Sequence, residues 1–152
     1  MKASDVITLE QANRIVDETF RRAMQLGAAP LAVAVLDGGG NVVVLKRADG
    51  AGVMRPSMAL AKSYGAVGMG LNSRELASRA EGQPIFFGSL ASVSDGRFAP
   101  APGGVLIRDD TGTLLGAVGV SGDVSDMDEA CAIAGVIAAG LRPDPAAPVF
   151  GG

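Results

Sequence analysis

The chain has 152 residues, 48% apolar and only 19% charged, with a net charge of −3, one cysteine and no histidine. One domain of that length buries roughly two-thirds of its unfolded surface and needs no disulfide staples. The acidic balance and scattered basic residues argue against nucleic-acid partners, and the missing histidine removes histidine-based nucleophile activation, the usual zinc sites and proximal-histidine haem ligation.

The first predicted element is a helix from about Thr8 to Leu26. Thr8 and Gln11 have capping-box spacing, and Leu9, Ala12, Ile15, Val16, Ala23 and Leu26 recur at helical intervals. Gly27 and Pro30 end it. Leu31 to Asp37 reads as a buried strand, Gly38–Asn41 as a tight turn and Val42–Arg47 as the returning strand of a hairpin. After a loop, Pro56 suits the first turn of a second helix, from about Arg55 to Met69. Gly65, Gly68 and Gly70 weaken its C-terminal half, which implies close approach by a neighbour. Asn72 and Glu75 have capping spacing for a short helix ending near Ala80.

From Glu81 to Pro102 the pattern loosens, and we expect a long binding loop or oligomer arm carrying Phe86, Phe87 and Phe98. Gly104–Arg108 and Thr113–Ser121 read as a second hairpin around the Asp109–Gly112 turn. Ser125 is the expected cap of a last helix, about Asp126 to Leu141, and Asp126, Asp128 and Glu129 are assigned to its dipole. Arg142 to Gly152, rich in proline, reads as a tail on the surface or on a neighbour. The sum is an α/β (α+β) domain, residues 1–152 with a core of about 5–141. Its antiparallel sheet has four to five strands flanked by helices.

The excess of apolar over charged residues points to surface buried in a pocket or between subunits, and so to a homo-oligomer. Residues 1–5 lack the apolar region of a signal peptide, and no apolar run approaches the ~18 residues of a spanning helix. The expected location is cytoplasmic, with no membrane partner. Cys131, in an Ala/Ile-rich helix, reads as a small buried hydrophobe.

Ser121-Gly122 stands between a strand and a helix start, where free N–H groups favour an anion; the alternative is a tight turn that binds nothing. Lys62 lies among Ala59, Ala61 and Ala66. It is either a desolvated anion anchor or catalytic base, or a chain that snorkels to water. Arg55 and Arg97, the latter beside Phe98, can each pair with a substrate carboxylate or simply face solvent. Gly103-Gly104 either lets a ligand approach the backbone or only permits a turn. Met54, Met58 and Met69 read as packing residues, and Asp109-Asp110 as a turn.

Val35–Val43, Ala59–Ala66 with its Lys62, Pro102–Ile107, Leu115–Gly122 and Asp126–Ala130, in this order and spacing, resemble the GlcG/HbpS family over about residues 5–141. The resemblance implies a profilin-like layered fold, a homo-oligomer (frequently an octamer) and small-ligand binding. The family includes a haem-binding protein. Without histidine, haem here requires oxygen or sulfur ligation or no protein ligand, so no cofactor is expected. The preferred reading is a homo-oligomeric binder of a carboxylate-bearing or aromatic small molecule. Its site comprises Lys62, Arg55, Arg97, Phe98, Gly103, Gly104, Ser121 and Gly122. The alternatives are a cofactor-independent lyase or isomerase using Lys62 as acid/base, and an assembly module without a site.

Overall fold

The computed structural model describes residues 6–149, so the expectations for residues 1–5 and for the last three residues of the tail lie outside it. Helix α1 spans Leu9–Leu26, and β1 (Ala32–Asp37) and β2 (Val42–Arg47) form the first hairpin. Three helices follow, α2 (Arg55–Met69), α3 (Ser73–Gly82) and α4 (Pro84–Val93). The second hairpin, β3 (Gly104–Arg108) and β4 (Leu114–Ser121), leads into α5 (Ser125–Ala138) and β5 (Arg142–Asp144). The strands form one sheet in the order β2-β1-β4-β3-β5 with every pairing antiparallel. This is the mixed α+β fold expected, an antiparallel sheet flanked by helices.

Short polar residues fix the helix starts, since the first N–H groups of a helix have no partner within it. At α1 the Thr8 hydroxyl accepts from the Gln11 N–H at 3.1 Å, and the Gln11 side chain accepts from the Thr8 N–H at 3.0 Å. Gly27, at φ 67°, ends that helix. Asn72 caps α3 by accepting from the Glu75 N–H at 2.9 Å.

The two faces of the sheet are packed differently. Toward α1 and α5 point Val33, Val35, Val105, Ile107, Val118 and Val120, which meet Ile15, Val16, Ile133 and Val136. Toward α2 the sheet presents Ala32, Ala34, Ala117 and Gly119, and this lack of bulk brings α2 close to the strands. A methyl group placed at Gly119 would lie 2.0 Å from the Ala59 carbonyl oxygen of α2. That is well inside van der Waals contact, so the position requires glycine.

Two segments of the chain differ from expectation. The segment from Glu81 to Pro102 is not a loop throughout. Helix α3 runs on to Gly82, and Pro84, in the first turn, opens α4. The absence of polar alternation in Pro84–Val93 hides this helix from a periodicity reading: of its residues only Phe87 is buried. The other segment is the tail. Arg142–Asp144 pairs with Leu106–Arg108 as an edge strand, and Asp144 accepts from Asn72 at 2.9 Å and from Arg108 at 3.4 Å. Pro143 is tolerated there because an edge strand has a side with no ladder to complete. No helix of the described residues is long and apolar enough to cross a membrane.

Candidate functional site

The polar centre of the molecule lies where the start of α2, the end of β4 and the start of α5 converge. Lys62, on the sheet-facing side of α2, is only 2% exposed. Its ammonium donates to the Val120 carbonyl at 2.9 Å and to Asp128 Oδ2 at 3.1 Å, and Asp128 is as deeply buried. The lysine therefore does not snorkel. Burial pushes the Lys62 pKa down from its ordinary value against the pull of Asp128, and burial pushes Asp128 up against the pull of Lys62. Both shifts favour the neutral forms, as expected for two charges withdrawn from water.

Asp128 also accepts from the Asp123 N–H at 2.9 Å. A carboxylate of the protein itself thus sits at the turn that follows Ser121-Gly122. Gly122 has a structural reason to be glycine: a methyl there would lie 2.3 Å from the Pro30 carbonyl oxygen. Ser125 is the first residue of α5 rather than its cap, and Val124 before it offers no capping side chain. The helix dipole alone does not account for Asp128 and Glu129. Both are buried, and Glu129 accepts from Arg74 Nε at 3.0 Å while Arg74 also pairs with Asp126. Asp126, half exposed, and Asp128 both lie in the first turn of α5, as expected.

The remaining predicted residues divide into two groups. Arg55 Nη1 donates to the Ser121 hydroxyl at 3.2 Å, which fixes a half-buried guanidinium beside the Lys62–Asp128 pair. Gly103 and Gly104 belong here as spacers: at φ 128°, Gly103 would place a methyl 2.9 Å from Lys62 Nζ, and Gly104 would place one 2.4 Å from the Lys62 carbonyl oxygen. Ser73, buried under Gly104, accepts its N–H at 2.6 Å. Arg97 and Phe98 lie elsewhere. The Arg97 guanidinium stacks 3.8 Å over the Tyr64 ring and donates to its hydroxyl at 3.2 Å, and Phe98 rests on Gly65. Among the described residues, no hydrogen bond joins either to Arg55 or Ser121.

Val53 and Met54, which precede Arg55 in the chain, and Val124, three residues after Ser121, are largely exposed. A half-buried guanidinium at this junction can take a carboxylate through paired N–H donors. The broad grooves of the surface lie apart from it. One, of about 380 Å³ between α1 and α5, is lined mainly by Ala130, Ile133, Ala134, Ile137 and Arg22 and holds no part of the buried pair.

Sequence reasoning missed Asp128, Glu129, Arg74, Asp123 and Ser73. A signal for Asp128 was present, since it stands four and eight residues before the buried Ala132 and Val136, on the inward face of α5. Cys131 is fully buried as expected, and burial pushes its thiol up to about 11, which removes it as a nucleophile.

A haem ligated through histidine or thiolate does not fit these donors. The sequence has no histidine, Cys131 is enclosed, and the described residues contain no cluster of three metal-binding side chains.

The family model described as haem degrading protein HbpS-like matches residues 7–137. An uncharacterized 15.0 kDa protein of Citrobacter freundii, from a dhaT-dhaS intergenic region, is 28% identical over 122 residues, 80% of this chain and 84% of that protein. Among solved structures, PduOC in complex with haem superposes with a TM-score of 0.80 at 25% identity, over 90% of this chain and 96% of the other. A double mutant of HbpS from Streptomyces reticuli gives a TM-score of 0.77 at 30% identity, over 90% and 89%.

Proposed function

We propose that this chain, which belongs to the HbpS-like family, is a homo-oligomeric small-ligand-binding protein that holds a carboxylate-bearing molecule at Arg55. The family and its haem-complexed neighbour support small-ligand binding. The observation that carries the carboxylate is the half-buried Arg55 guanidinium, held on the Ser121 hydroxyl at 3.2 Å, with exposed Val53 and Met54 directly before it in the chain. In this reading Lys62 and Asp128 are positioning residues. They lock the turn from Ser121 to Asp123, and the turn presents Ser121 to Arg55. The ligand is held by charge rather than by an axial bond to iron.

A second reading is favoured by one feature of the buried pair: burial drives Lys62 and Asp128 toward their neutral forms, which suits proton exchange between them. A lyase or isomerase that recruits this pair would lose turnover, but not ligand affinity, in Lys62→Met.

Native mass spectrometry of protein purified without added ligand, followed by denaturing release, tests the main reading. A multimer that releases a small acid is the expected result. A protein that is empty, and to which neither benzoate nor a short-chain carboxylate binds, would remove it. Added haem is expected to produce no Soret shift of the kind that axial ligation by histidine or thiolate gives.

A further inference from the structure

Helix α4 has no apparent reason to lie on the surface of a lone chain. From Gly82 to Ser94 there is no charged residue, and Ile85 is 90% and Val93 79% exposed. Beside Val93, between α4 and α2, lies an apolar cleft of about 160 Å³ lined by Gly65, Gly68, Met69, Leu90 and Phe98. That volume falls short of the roughly 300–1,000 Å³ that small-molecule sites enclose, and suits a single side chain. The protruding residue and the cleft lie at opposite ends of one helix, about 12 Å apart at 1.5 Å per residue.

The geometry points to α4 as the surface on which a second copy of this chain docks, with Ile85 of each copy entering the α2–α4 cleft of the other. Two copies of α4 packed antiparallel about a twofold axis at Ser89 set Ile85 of one opposite Val93 of its mate, at the mouth of the cleft. Gly88 and Ser89 lie at the crossing, where small side chains allow close approach. The arrangement is self-complementary and closes on itself, as a twofold interface must. The absence of charge matches the depletion of charged residues at interface centres. Half-exposed Phe86 and Met69 extend the patch. The inference rests on the reading of the chain as a homo-oligomer and names the face that makes the contact.

Two substitutions test it from opposite sides. Ile85→Asp puts a charge on the protrusion, at a side chain too exposed to matter for the fold. Gly68→Leu fills the cleft; nothing of this chain lies within 4 Å of a methyl at Gly68, so the variant folds and gains helix propensity. Native mass spectrometry and circular dichroism are read on both. Each variant is expected to keep the wild-type spectrum and fall to half the wild-type mass or less, with association weakened at least tenfold. A variant of either kind that retains the wild-type mass overturns the proposed contact while leaving the oligomer reading intact. A monomeric wild type overturns both.

Discussion

Replacing Lys62 by methionine probes the polar centre most sharply. The substitution keeps the length of the chain and removes the cation, leaving the Asp128 carboxylate, 1% exposed, with its N–H donor but no counter-charge, and the Val120 carbonyl with one donor fewer. Removing one partner of a buried pair costs about 3–5 kcal/mol, against about 5–15 kcal/mol for a whole domain, so the variant folds with a much reduced margin. The loss must depend on pH. Without Lys62, the native Asp128 pKa lies further above the unfolded value near 3.8 than it already does. Between that raised value and the lower native value of wild-type Asp128 only the variant's native state has taken up the proton, so in that window the variant gains stability relative to wild type as pH falls, by about 1.4 kcal/mol per pH unit at most. Adding Asp128→Asn removes the stranded charge and restores about 1–3 kcal/mol of the loss, as coupled neighbours do. Urea denaturation of the wild type, Lys62→Met, Asp128→Asn and the double variant across pH provides the measurement. A loss below about 1 kcal/mol that ignores pH would show Lys62 to be solvated and refute the reasoning.

Other expectations follow from the same contacts. Gly119→Ala pushes a methyl into the Ala59 carbonyl and should cost about 3 kcal/mol or prevent folding, whereas Gly68→Ala on α2 meets nothing and should gain up to about 1 kcal/mol; urea midpoints separate them. Thr8→Ala removes one half of the α1 capping box and should cost about 1 kcal/mol by the same assay. Asp123 is held below the usual carboxylate range by the Ala29 and Val124 N–H groups, so it contributes stability that is present above its unfolded pKa and lost as pH falls through its folded value. Asp123→Asn should therefore flatten the stability curve between about pH 5 and pH 2.

The elements with a clear period or a polar cap were legible in the sequence. The alternating valines of the hairpins, the Thr8–Gln11 box and the Asn72 cap express local chemistry that needs no partner. Helix α4 was not legible because its residues are apolar on every side, so neither period nor polarity marks a helix there. Nor was the pairing of Arg142–Asp144 with β3, since a three-residue edge strand with a proline carries no pattern of its own. The candidate site was half legible. Lys62 among alanines left a buried charge and a snorkelling chain both open, and Arg55 at the mouth of α2 left open a carboxylate partner or a solvent-facing chain. The counter-charge was obscured because Asp128 sits near a helix start, where the dipole already accounts for a carboxylate. Arg97 and Phe98 shared a segment with the right chemistry, but the fold turns them toward Tyr64 and Gly65.

The central claim is that Arg55 receives a carboxylate. Calorimetric titration of wild type and Arg55→Met with the acid released from the purified protein, and with its neutral amide, tests it most directly. A charge-assisted contact of about 1.5–3 kcal/mol predicts that the variant binds the acid roughly 10- to 100-fold more weakly. The amide should bind both proteins with the same low affinity. Equal affinity of the acid for wild type and variant, with assembly and fold unchanged, would contradict the account.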